Sequence, residues 1–268
     1  MKENKWLVAG KGLIVGATMI VPGVSGGTMA IILGIYDKLI SAVSSFAKNA
    51  KENLGFLIVF AMGAGLGLFL FSTPLSWLLE HYEVPTLYFF IGAVLGGIPL
   101  IQKKSGVEKL DLDVLLYMLL GAVAVVLISQ IPSDFLDAES YGRVGMWIVL
   151  LIAGIISAAA LVLPGISFSH FLLILGLYNR LLNAIRIIDL GFLLPLGLGV
   201  LGGTVLLSRL LENLMNRYPK ATYLIILGFI IGSIAEIFPG IPWNGEILIC
   251  VIAGGAGFFV TYRRKVYF

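Results

Sequence analysis

Charge is what this sequence has least of. Only 12% of its 268 residues are Asp, Glu, Lys or Arg, while 59% are hydrophobic and the mean hydropathy is +1.02. An ordinary soluble domain carries roughly 25% charged residues. Such a composition excludes a solvated globule and predicts an all-α polytopic membrane protein. The net charge of +3 is too small to imply nucleic acid as a partner. Cys250 is the single cysteine, which excludes an intrachain disulfide and argues against zinc held by thiolates. His81 and His170 are the only histidines, too few for a multi-histidine metal site, and no cofactor is implied. Lys2 and Lys5 ahead of an apolar run resemble a signal peptide. That reading is set aside because Lys11 interrupts the run and its continuation recurs inside the chain.

What is present is a break, made twice. Within Gly12 to Tyr36 the centre reads Val21, Pro22, Gly23, Val24, Ser25, Gly26, Gly27, Thr28; within Gly154 to Tyr178 it reads Leu163, Pro164, Gly165, Ile166, Ser167, Phe168, Ser169, His170. A shift of 142 positions superposes Pro22-Gly23 on Pro164-Gly165, Ser25 on Ser167, Gly34 on Gly176, Tyr36 on Tyr178 and Asp37-Lys38 on Asn179-Arg180. Further on, a shift of 136 pairs Gly63, Gly67, Gly92 and Gly96 with Gly199, Gly203, Gly228 and Gly232. The chain is read as an internal duplication. Pro removes a helical donor, and lipid offers bare backbone no partner.

The first repeat, residues 1–135, is expected to hold a re-entrant helical hairpin over 7–46, from Leu7 to Val21 and Met29 to Phe46, with crossings at Leu54 to Leu79, Thr86 to Ile101 and Val114 to Ile131. A single kinked spanning helix is the alternative to the hairpin. The second repeat, 146–268, is expected to hold a hairpin from Met146 to Ile185 and crossings at Gly191 to Met215, Thr222 to Phe238 and Glu246 to Tyr262. Three crossings after a re-entrant hairpin invert the second copy relative to the first. With both termini cytoplasmic, Lys2, Lys5, Lys11, Lys48, Lys51, Lys103, Lys104, Lys109, Arg217, Lys220, Arg263, Arg264 and Lys265 fall inside, and Arg143, Arg180 and Arg186 outside. Acidic linkers, with Glu80 and Glu83 in one and Asp134, Asp137 and Glu139 in another, alternate with the basic ones. The paired glycines are assigned to close helix packing and no chemistry.

Inverted repeats with broken helices are the architecture of secondary transporters. Each break opens into a half-helix whose N-terminal N–H groups favour an anion, of which phosphate is a common one. One anion pocket built from both loops is therefore expected, from Pro22, Gly23, Ser25, Gly26, Gly27 and Thr28 with Pro164, Gly165, Ser167, Ser169 and His170. The alternative is that these small polar residues only satisfy loop backbone. His170, where the first copy has Thr28, could meet the phosphate or carry a coupling proton; a neutral core histidine is the alternative. Lys38 and Arg180 are candidates for guiding a headgroup, with snorkelling as the plainer role. Arg209 is placed one turn from Glu212 as its partner, and Glu236 is an interfacial residue with a protonation role open.

The strings GATMIVPGVSGGTMAIILGIYDKLI and LVLPGISFSHFLLILGLYNRLL resemble the bacterial polyprenyl-phosphate transporter family over essentially the whole chain. Its members, formerly a domain of unknown function, are described as undecaprenyl-phosphate translocases of the PopT type. The resemblance implies a bacterial cytoplasmic-membrane protein that returns undecaprenyl phosphate to the cytoplasmic leaflet after cell-wall glycan transfer. Undecaprenyl phosphate and membrane lipids are then the partners, and the oligomeric state stays open, a homodimer included. The rival is an undecaprenyl-diphosphate phosphatase, which also uses inverted repeats and a Pro-Gly-x-Ser loop. That chemistry calls for an arginine in the serine loop and nearby acids, and neither PGVSGGT nor PGISFSH has an arginine. A nonspecific scramblase leaves the twin loops without a purpose.

Overall fold

The computed structural model describes residues 4–21, 23–107, 109, 111–132, 143–242 and 245–262. Pro22, the linker acids Asp134, Asp137 and Glu139, and the cations Lys2, Arg263, Arg264 and Lys265 lie outside the described residues, as does the side chain of Arg143. The regular structure among the described residues is helical. In chain order it runs α1 (Lys5–Thr18), α2 (Gly26–Ile32), α3 (Tyr36–Ser44), α4 (Ala50–His81), α5 (Glu83–Ser105) and α6 (Leu112–Ser129). It continues with α7 (Arg143–Val162), α8 (Phe168–Ile174), α9 (Tyr178–Ile187), α10 (Leu190–Arg217), α11 (Pro219–Ile237) and α12 (Ile247–Tyr262). Helices α4, α5, α6, α7, α10 and α11 are long and apolar enough to cross a bilayer, and α12 falls just short. This is a multi-pass membrane protein.

Two differences from the sequence reading concern the hairpins. The second limb, expected over Met29 to Phe46, turns by 116° between α2 and α3, and its counterpart turns by 105° between α8 and α9. The cause is local: the Gly34 N–H bonds to the Ile31 carbonyl and the Ile35 N–H to that of Ala30, with Gly34 at φ +65°. Gly176 and Leu177 repeat the pattern on Leu173 and Leu172. Both are helix stops in which a left-handed glycine lets the last carbonyls find donors, with an apolar residue following into the core; Ile35 and Leu177 are buried. Replacing Gly34 by Ala meets open space but the wrong backbone region. It is expected to destabilise the protein by about 1 kcal/mol, read as a lowered thermal unfolding midpoint. The second difference is length. With 20 residues against the 14 of α1, α7 reaches about 30 Å at about 1.5 Å per residue, enough to span alone.

The paired glycines sit where the sequence reading put them, at helix crossings. A Cβ on Gly63 would lie 2.2 Å from the Ala9 carbonyl oxygen and one on Gly199 2.2 Å from that of Leu151, so α1 meets α4 as α7 meets α10, backbone to backbone. An added Cβ on Gly92 would lie 1.9 Å from the Gly254 carbonyl oxygen, and one on Gly228 2.1 Å from that of Met118. These last contacts pack α5 on α12 and α6 on α11, so each half supplies a helix to the other. The halves interlock. At the centre of the larger core, buried Ile31 and Ile35 join Val94 of α5 with Ile226 and Ile230 of α11. That core anchors the first break against the second half.

Candidate functional site

Both breaks face one cavity of about 320 Å³. The first loop contributes Ser25, Gly26 and Gly27 to its wall, and the second contributes Ser167 and Ser169. Ser25 is the N-cap of α2, its Oγ accepting from the Gly27 N–H at 3.2 Å. Ser167 holds the same position before α8 without a side-chain cap bond, which leaves its hydroxyl for other partners. The first-turn N–H groups of both helices have no intrahelical carbonyl to meet. With seven residues each, α2 and α8 are too short for a large macrodipole, so individual N–H and O–H donors supply the polarity. Much of the remaining wall is apolar, with Leu39, Ile40 and Val43 of α3 and Phe60 of α4. Among the described residues no Lys, Arg, His, Asp or Glu lines it.

The loops hold each other in place. The Gly165 N–H donates to Thr28 Oγ1 at 3.0 Å, across 137 positions of sequence. Tyr36 donates its hydroxyl to the carbonyl of Val162, the last residue of α7, at 2.6 Å. Each bond satisfies a backbone group that a broken helix leaves without a partner, and each crosses between halves. Gly165 stands at φ +81° with its Cα face 2.4 Å, by an added Cβ, from the Phe229 carbonyl oxygen of α11. No side chain fits there.

The candidates from sequence therefore divide. Ser25, Gly26, Gly27, Ser167 and Ser169 come together on the wall, whereas Gly23, Thr28, Pro164 and Gly165 lie behind it and shape the loops. His170 is off the wall as well; its Nε2 is buried without a hydrogen-bond partner, and Glu236 of α11 is its charged neighbour, with Ser129 of α6 beside that carboxylate. Lys38 lies over the Phe56 ring at 4.6 Å and Arg180 over the Phe192 ring at 5.6 Å. Those rings are themselves counterparts in the repeat, so the two cations brace α3 on α4 and α9 on α10. The expected Arg209–Glu212 pairing is replaced by contacts with α3. Arg209 Nε donates to the Ser44 carbonyl at 3.0 Å, and Glu212 accepts from the hydroxyls of Ser44 and, at 3.4 Å, Ser45. The reason is reach: the last carbonyls of α3 need donors, and α10 passes beside them.

Sequence reading missed three polar wall residues, Tyr36, Thr204 and Ser208. Thr204 and Ser208 are four apart, hence on one face of α10, and that spacing in an apolar helix was the available signal. It also missed Asp37, which accepts from Lys104 of α5 and, at 3.0 Å, from the Tyr223 hydroxyl of α11. The repeat has uncharged Asn179 at that place.

Residues 15–250 match the family model described as VCA0040-like, undecaprenyl phosphate translocase-like. A polyprenyl-phosphate transporter of Staphylococcus aureus (strain NCTC 8325 / PS 47) is 32% identical over 254 residues, covering 91% of this chain and 90% of that protein. One of Vibrio cholerae serotype O1 (strain ATCC 39315 / El Tor Inaba N16961) is 32% identical over 243 residues, covering 85% of this chain and 76% of that protein. No solved structure matches the chain significantly. With a family match over residues 15–250, relatives alike over most of the chain, and a multi-pass fold, the chain belongs to the undecaprenyl phosphate translocase-like family of polyprenyl-phosphate transporters.

Proposed function

We propose that this protein carries undecaprenyl phosphate from the outer to the cytoplasmic leaflet of the bacterial cytoplasmic membrane, renewing the lipid carrier for cell-wall polymer synthesis. The observation that supports it best is a cavity between the two Pro-Gly-x-Ser loops whose wall combines serine hydroxyls from both loops with apolar side chains. Phosphate monoester oxygens are strong acceptors, and Ser25, Ser167, Ser169 and first-turn N–H groups are donors. The volume of about 320 Å³ is at the small end of the roughly 300–1,000 Å³ of ligand pockets. It suits the headgroup and the first isoprene units, leaving the rest of the tail in lipid beside α3 and α4.

In this reading the two halves are inverted repeats with both termini cytoplasmic, and the reciprocal packing of α5 on α12 and α6 on α11 is the seam about which they rock. A pocket walled by neutral groups holds a phosphate without trapping it in an ion pair, which favours release on the other side. Phosphatase chemistry needs a nucleophile with acid–base partners, and the wall residues do not supply them. The deciding experiment places the purified protein in liposomes with undecaprenyl phosphate in one leaflet and follows lipid movement and inorganic phosphate together. Movement without phosphate release, lost in the Ser25→Ala/Ser167→Ala double variant, is the expected result. Phosphate released from the diphosphate form without lipid movement would mean an enzyme instead.

A further inference from the structure

We propose that Ser208, on α10 and outside both loops, supplies the phosphate headgroup with a donor from a third element; this assignment rests on reading the cavity as a phosphate site. Most hydroxyls on helices here are satisfied by their own helix. Thr18 donates to the carbonyl of Val15, Ser105 to Gln102, Thr204 to Val200, Thr222 to Tyr218 and Ser233 to Ile230, all at 2.7–2.9 Å. Ser72, which stands 136 positions earlier at the matching place in the repeat, donates to Phe69 at 2.9 Å. Ser208 departs from this habit. It is 1% exposed, and its Oγ is buried without a hydrogen-bond partner.

A buried hydroxyl left unpaired is a net loss unless something in the adjoining space takes its bond. For Ser208 that space is the cavity, of which it is a wall residue. Thr204 lies one turn away on the same face, and its bond to Val200 leaves Ser208 as the uncommitted donor of α10. The loops come from α1–α2 and α7–α8, so a donor on α10 grips the headgroup from a different direction. Three donors from separate elements also favour a tetrahedral phosphate over a flat carboxylate or a lone hydroxyl. Ser157 gives the comparison: its Oγ is likewise buried and unpartnered, but it is not on the wall.

The test uses the full chain in lipid nanodiscs, with farnesyl phosphate and farnesol as probes, alike in tail and different only in headgroup. The wild-type protein is expected to prefer the phosphate. Ser208→Ala and the near-isosteric but poorly donating Ser208→Cys should each weaken farnesyl phosphate by about tenfold to a hundredfold, with farnesol affinity and the thermal unfolding midpoint retained. Ser157→Ala should leave both ligands as in the wild type. Full phosphate preference in Ser208→Ala, or retention of it in Ser208→Cys alone, overturns the Ser208 assignment while the phosphate site stands. Equal binding of the two probes by the wild type overturns both.

Discussion

Replacing Gly27 by valine is expected to abolish polyprenyl-phosphate binding, with a loss of about a hundredfold or more, while the protein stays folded. A Cβ at this position would lie 3.3 Å from Pro164 Cα, 3.5 Å from Pro164 N and 3.5 Å from Ser25 Oγ. Alanine brushes these atoms, and small shifts accommodate it. The two further methyl groups of valine have to enter the cavity, where they occupy the headgroup space, or push the second loop away, which separates Ser25 from Ser167. A phosphate then loses donors worth about 1.5–3 kcal/mol each, which supports the size of the effect. The folded state survives because α2 is held by its apolar face, where Met29, Ile31 and Ile32 are buried, rather than by the loop contact. Farnesyl phosphate binding to Gly27→Ala and Gly27→Val, with unfolding midpoints measured alongside, gives the graded series. Unchanged binding in the valine variant would remove the first loop from the site.

The second large effect is on stability. Gly67→Leu is expected to destabilise the protein by about 3 kcal/mol or more, at or beyond the upper end of ordinary overpacking. A Cβ there would stand 2.0 Å from the Leu13 carbonyl oxygen and 2.9 Å from Leu13 Cα, so α1 and α4 have to part. Two residues away, Gly65 has nothing within 4 Å of an added Cβ. Gly65→Leu should be neutral or stabilising by up to about 1 kcal/mol, because leucine is the better helix former. Unfolding midpoints of the two variants in one detergent settle it, and equal midpoints would dissolve the close crossing. Displacing α1 also moves Val15, which lies on the cavity wall. Gly67→Leu should therefore weaken binding in the fraction that remains folded.

These two glycines show how far sequence reading carries. The string Gly63-Ala64-Gly65-Leu66-Gly67 does not reveal which glycine touches a neighbour. The repeat does: Gly63 and Gly67 have Gly199 and Gly203 as counterparts, whereas Gly65 falls on Leu201. Close approach has to be kept in both copies, and a lipid-facing position does not. The same comparison located the two breaks and the serines that follow them. It did not reveal the bends at Gly34 and Gly176, although it paired those residues, because a helix can run through glycine and only the backbone shows a left-handed stop.

By itself, then, the sequence determined that this protein lies in the membrane as helices, where the two Pro-Gly breaks fall, and which loops are polar. All of these follow from local physics: lipid leaves backbone groups no partner outside a helix, hydropathy accumulates residue by residue, and a Pro-Gly pair breaks a helix where it stands. Tertiary structure decided the rest. The two loops meet each other through Thr28 and Gly165; His170 lies off the wall, while Lys38 and Arg180 lie over the Phe56 and Phe192 rings; and Ser208 from a distant helix joins the wall. The Thr28–Gly165 pairing joins residues 137 positions apart, and the packing of interlocked halves selects it rather than the preference of either residue.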